Sequence, residues 1–170
     1  MTKPSMSETG ERILLVDDNP NNIQVLVSTL KEFGYSLSVA KSGEQAITLT
    51  KKVKPSLILL DIMMPPGIDG YEVCTRLKND PETSHIAVIF LTALDEVEKK
   101  VRGFRVGAVD FITKPFQPEE VRARVRAQLS IRRMRAELEA TNEALRKELR
   151  VAEELLEEAH SRIAGPLVGE

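Results

Sequence analysis

Five short aliphatic runs at regular intervals decide what this chain can fold into. They are ILLV (13–16), LSVA (37–40), LILL (57–60), AVIFL (87–91) and DFIT (110–113). Most are nearly continuous in apolar residues rather than alternating with polar ones, the pattern of strands covered on both faces of a sheet. Between the runs lie amphipathic stretches with helix-start signals. Asn19-Pro20 sets a capping side chain before a proline at the first helical position, and Ser42–Gln45 and Asp95–Glu98 fit the capping box. Strands alternating with helices make βαβ units with right-handed crossovers, hence an α/β domain with a parallel sheet. The 170 residues suffice for one such domain and an appendage. Residues 1–11 are polar with turn formers and read as a flexible N-terminal tail, and the domain is expected over 12–130.

After Pro118 the pattern changes. Residues 119–164 hold no proline or glycine and are rich in Ala, Leu, Glu and Arg, which predicts one helix about 70 Å long. Val121 and Val125 are expected to face the sheet. Beyond them a narrow stripe repeats: Ile131, Met134, Leu138, Thr141, Leu145, Leu149, Ala152, Leu156, Ala159 and Ile163. Steps of three and four alternate except for two consecutive fours around Leu145, the signature of a coiled-coil seam with a stutter. A lone helix with so long a stripe needs a partner, so 131–164 is expected to pair in a parallel homodimer. Arginines cluster in VRARVRAQLSIRRMR, but without aromatic interleaving or a helix-turn-helix pattern they read as a solvated face, and no direct nucleic-acid binding is expected.

The totals are ordinary for a globular chain: 42% hydrophobic, 29% charged and a formal net charge of −2, which gives no general push toward nucleic acid or membrane. No apolar stretch approaches the roughly 20 residues of a membrane span, and MTKPSMSETGER lacks a signal-peptide core. The single cysteine, Cys74, excludes an internal disulfide and suits a reducing compartment, so the expected location is the cytoplasm. Cys74 itself is expected to pack the third helix.

In open α/β sheets the functional crevice lies beyond the carboxyl ends of the strands. The first run is followed by Asp17-Asp18, the third ends in Asp61, the fourth in Thr92, and the fifth leads into Lys114-Pro115. One acid after a strand is most often a cap or a solvated turn. Three acids, a hydroxyl and a lysine converging from four strands are harder to explain that way. Clustered carboxylates repel unless a cation joins them, and a hard divalent ion with oxygen ligands, Mg²⁺ or Mn²⁺, answers that need. Lys114 supplies a compact positive charge and Thr92 a hydroxyl for phosphoryl oxygens. Asp61, the central acid, is then a candidate acceptor of phosphate.

The stretches ILLVDDNP, LILLDIMMPPGIDGYEV, IFLTA and GAVDFITKPF resemble the receiver domain of bacterial two-component response regulators. The resemblance covers roughly residues 12–130 and implies a flavodoxin-like (βα)5 fold of strand order 2-1-3-4-5, for which the receiver is itself a type example. It implies Asp61 as acceptor of phosphate from a histidine kinase or phosphotransfer protein, and Asp18 as the main metal-coordinating acid. Asp17 would assist, partly through water, and Met63 would offer its backbone carbonyl. It further implies Thr92 and Lys114 on the phosphoryl oxygens, a cis Lys114–Pro115 peptide, and Phe111 at an aromatic switch position, where the ring fills space that Thr92 vacates. One departure is the Pro65-Pro66-Gly67 stretch, which carries one residue more than the usual Met-Pro-Gly and leaves the local backbone course open. Met63 and Leu94 are both apolar, so slow self-dephosphorylation is expected. GPLVGE at 165–170 resembles the entry to the ATPase module of sigma-54 activators, so these residues are read as the start of a missing downstream module.

Two other readings compete with a phosphorylation switch that drives an output module through the coiled coil. One is an unphosphorylated dimeric scaffold with a vestigial pocket, against which the complete set Asp17, Asp18, Asp61, Thr92 and Lys114 argues. The other is a Mg²⁺-dependent phosphohydrolase. Haloacid-dehalogenase-type enzymes need a second aspartate two residues after the nucleophile; that position is Met63, so no enzyme activity beyond chemistry at Asp61 itself is expected.

Overall fold

The computed structural model of the chain describes residues 10–93 and 97–165, with every side chain among them except that of Val97. Most of the expected tail, Leu94, the Asp95 capping residue and positions 166–170 of the expected module entry lie outside the described residues. The chain divides into two compact units, Met1–Leu129 and Ser130–Glu170.

The first unit is built on a five-stranded sheet. In chain order the elements are β1 (Arg12–Val16), α1 (Pro20–Lys31), β2 (Ser36–Ala40), α2 (Gly43–Val53), β3 (Leu57–Asp61), α3 (Gly70–Asn79), β4 (Ala87–Ala93), α4 (Val97–Arg105), β5 (Asp110–Lys114) and α5 (Pro118–Ile163). The order across the sheet is β2-β1-β3-β4-β5, and every pair is parallel. This is the flavodoxin-like arrangement of the expected fold class.

Successive side chains of a strand point to opposite faces, and here each face is covered. Leu14, Val16, Ile58, Leu60, Val88 and Phe90 pack with Val73, Cys74 and Leu77 of α3. On the other side Ile13, Leu15, Leu57, Leu59, Ile89, Leu91 and Ile112 meet Leu26 and Leu30 of α1 and Val121, Val125 and Leu129 of α5. Two covered faces are the reason the aliphatic runs are continuous. Leu129, one helical step beyond Val125, is fully buried as well and extends the sheet-facing stripe further than the two expected valines.

The helices start where their caps dictate. The Asn19 side chain accepts from the Asn21 N–H ahead of Pro20, Ser42 accepts from Gln45 N–H, and Asp69 accepts from Glu72 N–H. The box at Ser42 is shifted by one residue: Gln45 Oε1 takes the Lys41 N–H at 2.7 Å rather than that of Ser42. Strand ends reach past the aliphatic runs because polar residues complete the ladder, with Asp61 beside Leu91, and Thr92 and Ala93 beside Thr113 and Lys114. That extension carries the polar residues of three strands to one edge.

Candidate functional site at the carboxyl edge of the sheet

Asp17 follows β1 and is fully buried, and Asp61 ends β3 with 4% of its surface exposed. Burial of two carboxylates is costly unless their charge and lone pairs are met. Lys114, at the end of β5, meets both: its Nζ lies 3.1 Å from Asp17 Oδ2 and 3.1 Å from Asp61 Oδ2. Asp17 is further satisfied by the Asn19 N–H on Oδ1 at 2.8 Å and by Asn22 Nδ2–H on Oδ2 at 3.0 Å. Asn22 lies in the first turn of α1. Its bond to Asp17 depends on how α1 docks, which a helical repeat does not reveal.

Asp61 is served more sparingly, since its Oδ1 accepts only a long bond from the Met63 N–H at 3.3 Å. Burial pushes its carboxyl above the ordinary carboxylate range and the nearby Asp17 charge adds to the rise, while Lys114 and the Met63 N–H pull it back. Asp18 is exposed. One carboxylate oxygen from each of Asp17, Asp18 and Asp61 falls within 4.8 Å of the others, a set of hard oxygen donors that fits a small divalent cation. The Met63 side chain is 66% exposed.

Asp18 and Asp61 open onto a cavity of about 360 Å³ that Thr92 and Lys114 also line, with Asp17 buried behind it. Thr92 is buried. The Lys114–Pro115 peptide is cis, as is Pro65–Pro66. Beyond that second bond the loop is tied to α2 by the Ile68 N–H, which donates to Glu44 Oε1 at 3.2 Å. The chain then turns into α3 at Gly70, whose N–H donates to Ile62 O at 2.8 Å. A methyl group at Gly70 would overlap Asp61 O and lie 2.9 Å from Ile62 Cα, so α3 begins directly against the backbone that carries Asp61.

From the cavity wall a line of aromatic rings runs beneath α4. Tyr71 donates its hydroxyl to Lys99 O at 3.1 Å, and the Arg102 guanidinium sits 4.2 Å over its ring. Tyr71 meets Phe90 edge-on at 5.3 Å, Phe90 lies 5.7 Å from Phe111, and Phe104 caps Phe111 edge-on at 4.9 Å. Phe111 is buried in this arrangement. Neither Tyr71 nor Arg102 was singled out from the sequence, because their meeting requires α3 and α4 to be placed side by side.

The family model of the response regulator receiver domain matches residues 13–126. The chain belongs to the receiver domain family. It is 43% identical over 118 residues to the DNA-binding dual master transcriptional regulator RpaA of Synechocystis, covering 69% of this chain and 48% of that protein. It is 44% identical over 116 residues to the response regulator PleD of Caulobacter vibrioides, covering 68% of this chain and 25% of that protein. This receiver thus spans half or less of the length of these relatives. Among solved structures, the receiver domain of a signal transduction histidine kinase from Syntrophus aciditrophicus superposes with a TM-score of 0.65 at 37% identity, over 71% of this chain and 90% of that one.

The second unit holds the rest of α5. Among its described residues Met134, Leu138, Leu145, Leu149, Leu156 and Ile163 of the expected seam are well exposed in the single chain, and Ile131 is partly so. Thr141 turns its hydroxyl back to Glu137 O. Val151 and Leu155, outside the expected seam, are exposed too. No helix among the described residues is long and apolar enough to cross a membrane.

Proposed function

We propose that this chain is a phosphorylation-controlled switch in which Asp61 accepts phosphate from a histidine kinase or phosphotransfer protein and α5 passes the change to an output module. The observation that carries the reading is Lys114 Nζ held equally close to Asp17 and Asp61, in the lining of a cavity to which Thr92 also contributes. Asp17, Asp18, Asp61 and the Met63 carbonyl are the groups that would hold Mg²⁺ or Mn²⁺. Such an ion, when bound, neutralises the acids and the charge of an incoming phosphoryl group. Lys114 and Thr92 would orient the phosphoryl oxygens while an Asp61 carboxylate oxygen attacks phosphorus and the P–N bond to the donor histidine breaks, its electron pair leaving with the imidazole nitrogen. Of the two buried carboxylates, the one that must react accepts fewer hydrogen bonds, which leaves its oxygen available. No turnover of other substrates is part of this reading. The apolar Met63 at the cavity rim offers nothing to align an attacking water, in keeping with a long-lived phosphate.

Phosphoramidate with Mg²⁺, followed by intact mass measurement, tests the reading. One phosphate-mass adduct should form on the wild-type chain and none on Asp61→Asn. An adduct that persists in Asp61→Asn, or none on wild type, removes the reading, the second result favouring a scaffold.

The exposed seam of α5 supports a parallel homodimer, with the helix as the route to a downstream module of the kind that GPLVGE resembles, and the single cysteine suits the reducing cytoplasm. Leu145→Asp places a carboxylate from each chain in that seam at the stutter. Two unpaired buried charges cost about 3 kcal/mol, so the dimer dissociation constant should rise on the order of 100-fold. Sedimentation of both proteins, with and without beryllofluoride, reads this out; unchanged association would rule out the seam.

A further inference from the structure

We infer that Gly103, in the last turn of α4, holds open the slot that Phe111 occupies, so that the inward position of this ring is available before phosphate reaches Asp61. Gly103 is buried. A Cβ built there would overlap Phe111 Cζ and stand 2.9 Å from Cε1 of the same ring and 3.0 Å from Cδ2 of Phe90. The two rings come from register neighbours, Phe90 on β4 and Phe111 on β5, so they reach the helix side by side. Phe104, the next residue of α4, meets Phe111 edge-on at 4.9 Å. Helix α4 therefore touches the ring with a bare α carbon at one position and an aromatic lid at the next.

The resemblance drawn from sequence makes the ring enter space that Thr92 vacates. Here the room comes from α4. Phosphate then selects an arrangement the ring already adopts rather than creating it. Glycine inside a helix costs stability relative to alanine, so its presence at 103 asks for a compensating reason, and the Phe111 ring supplies one. A side chain at 103 would push the ring outward and depopulate the state that phosphate stabilises. Apparent affinity for a phosphate mimic is divided by the population of the competent state.

This inference rests on the phosphorylation reading only for its link to Asp61; the position of the ring is testable without it. The full chain is labelled with fluorophenylalanine, and Phe111→Leu identifies the Phe111 signal by fluorine NMR. In wild type that signal should be that of a buried ring and should barely move with beryllofluoride and Mg²⁺. In Gly103→Ala it should shift to a solvent-exposed position, return inward with beryllofluoride, and show an apparent beryllofluoride affinity about tenfold weaker, as for an inward population near one in ten. A Phe111 ring that stays buried in Gly103→Ala overturns the inference, as does a wild-type ring that is exposed and turns inward only with beryllofluoride. Failure of wild type to bind beryllofluoride at all counts against the phosphorylation reading, while the ring signal of Gly103→Ala without it still decides the slot. Should Gly103→Ala not fold, Gly103→Ala/Phe111→Leu removes the overlapping atoms: recovery of folding supports the slot, and a double variant as unfolded as the single one overturns it.

Discussion

Lys114→Met is expected to lower the stability of the metal-free protein by about 3 kcal/mol near neutral pH, because it strands two buried carboxylates without their shared cation. Asp17 and Asp61 are almost wholly removed from solvent, and Lys114 Nζ is 3.1 Å from both. The pH dependence has a definite sign. Asp61 already titrates above the ordinary carboxylate range through burial and the Asp17 charge, with Lys114 opposing the rise. Removing the lysine lifts it further. A raised carboxyl binds its proton more tightly in the folded state, so stability falls as pH climbs from the ordinary carboxylate value through the folded one. The deficit of Lys114→Met should accordingly be full at neutral pH and shrink in acid. Two additions should repair it at neutral pH: Asp61→Asn in the same chain, and millimolar Mg²⁺, which stabilises by binding the folded state alone. Urea titrations across pH measure all of this. A variant as stable as wild type at every pH would mean that the asparagines around Asp17, rather than Lys114, carry the compensation. Adduct formation should be lost in the variant even where Mg²⁺ restores the fold, since the lysine also holds a phosphoryl oxygen.

What the sequence displays and what it hides follow one physical division. A strand buried on both faces must be apolar at nearly every position, so the runs at Ile13, Leu57 and Val88 announce themselves. The residue just past such a run is confined to the sheet edge, so Asp17, Asp61, Thr92 and Lys114 could be placed together from the order of the runs alone. Contacts that depend on how two helices settle leave no such trace. Asn22 reads as one polar residue among several in the first turn of α1, yet it donates to Asp17. Leu129 could as well have opened the exposed stripe as closed the buried one, and only its packing against the sheet separates it from Ile131. Burial of Phe111 depends on an atom missing at Gly103, eight residues earlier, which no pattern of hydrophobicity records.

Gly70→Ala is expected to be the most damaging exchange of a single methyl group in the receiver, costing about 3 kcal/mol and abolishing the adduct. Overpacking ordinarily costs about 1–3 kcal/mol because neighbouring side chains can yield. At Gly70 the neighbours are backbone. The added Cβ would overlap Asp61 O and meet Ile62 Cα at 2.9 Å and the Asp61 carbonyl carbon at 3.1 Å. Those atoms are themselves pinned: Asp61 is in register with Leu91, Ile62 N–H donates to Leu91 O at 3.3 Å, and Ile62 O accepts from Gly70 at 2.8 Å. The overlap can be relieved only by lifting the start of α3 off the sheet or by displacing the end of β3. Either movement breaks the 2.8 Å bond, and the second also carries Asp61 away from Lys114 and Asp18. The contrast with Gly103 is informative, since there the obstructed atoms belong mainly to a ring that can swing out, and a loss of switching rather than of fold is expected. Urea midpoints of Gly70→Ala and Gly103→Ala, set beside their phosphoramidate adducts, separate the two glycines. A Gly70→Ala protein with wild-type midpoint and adduct would show that α3 can retreat freely, and that the seat of Asp61 is not fixed by this contact.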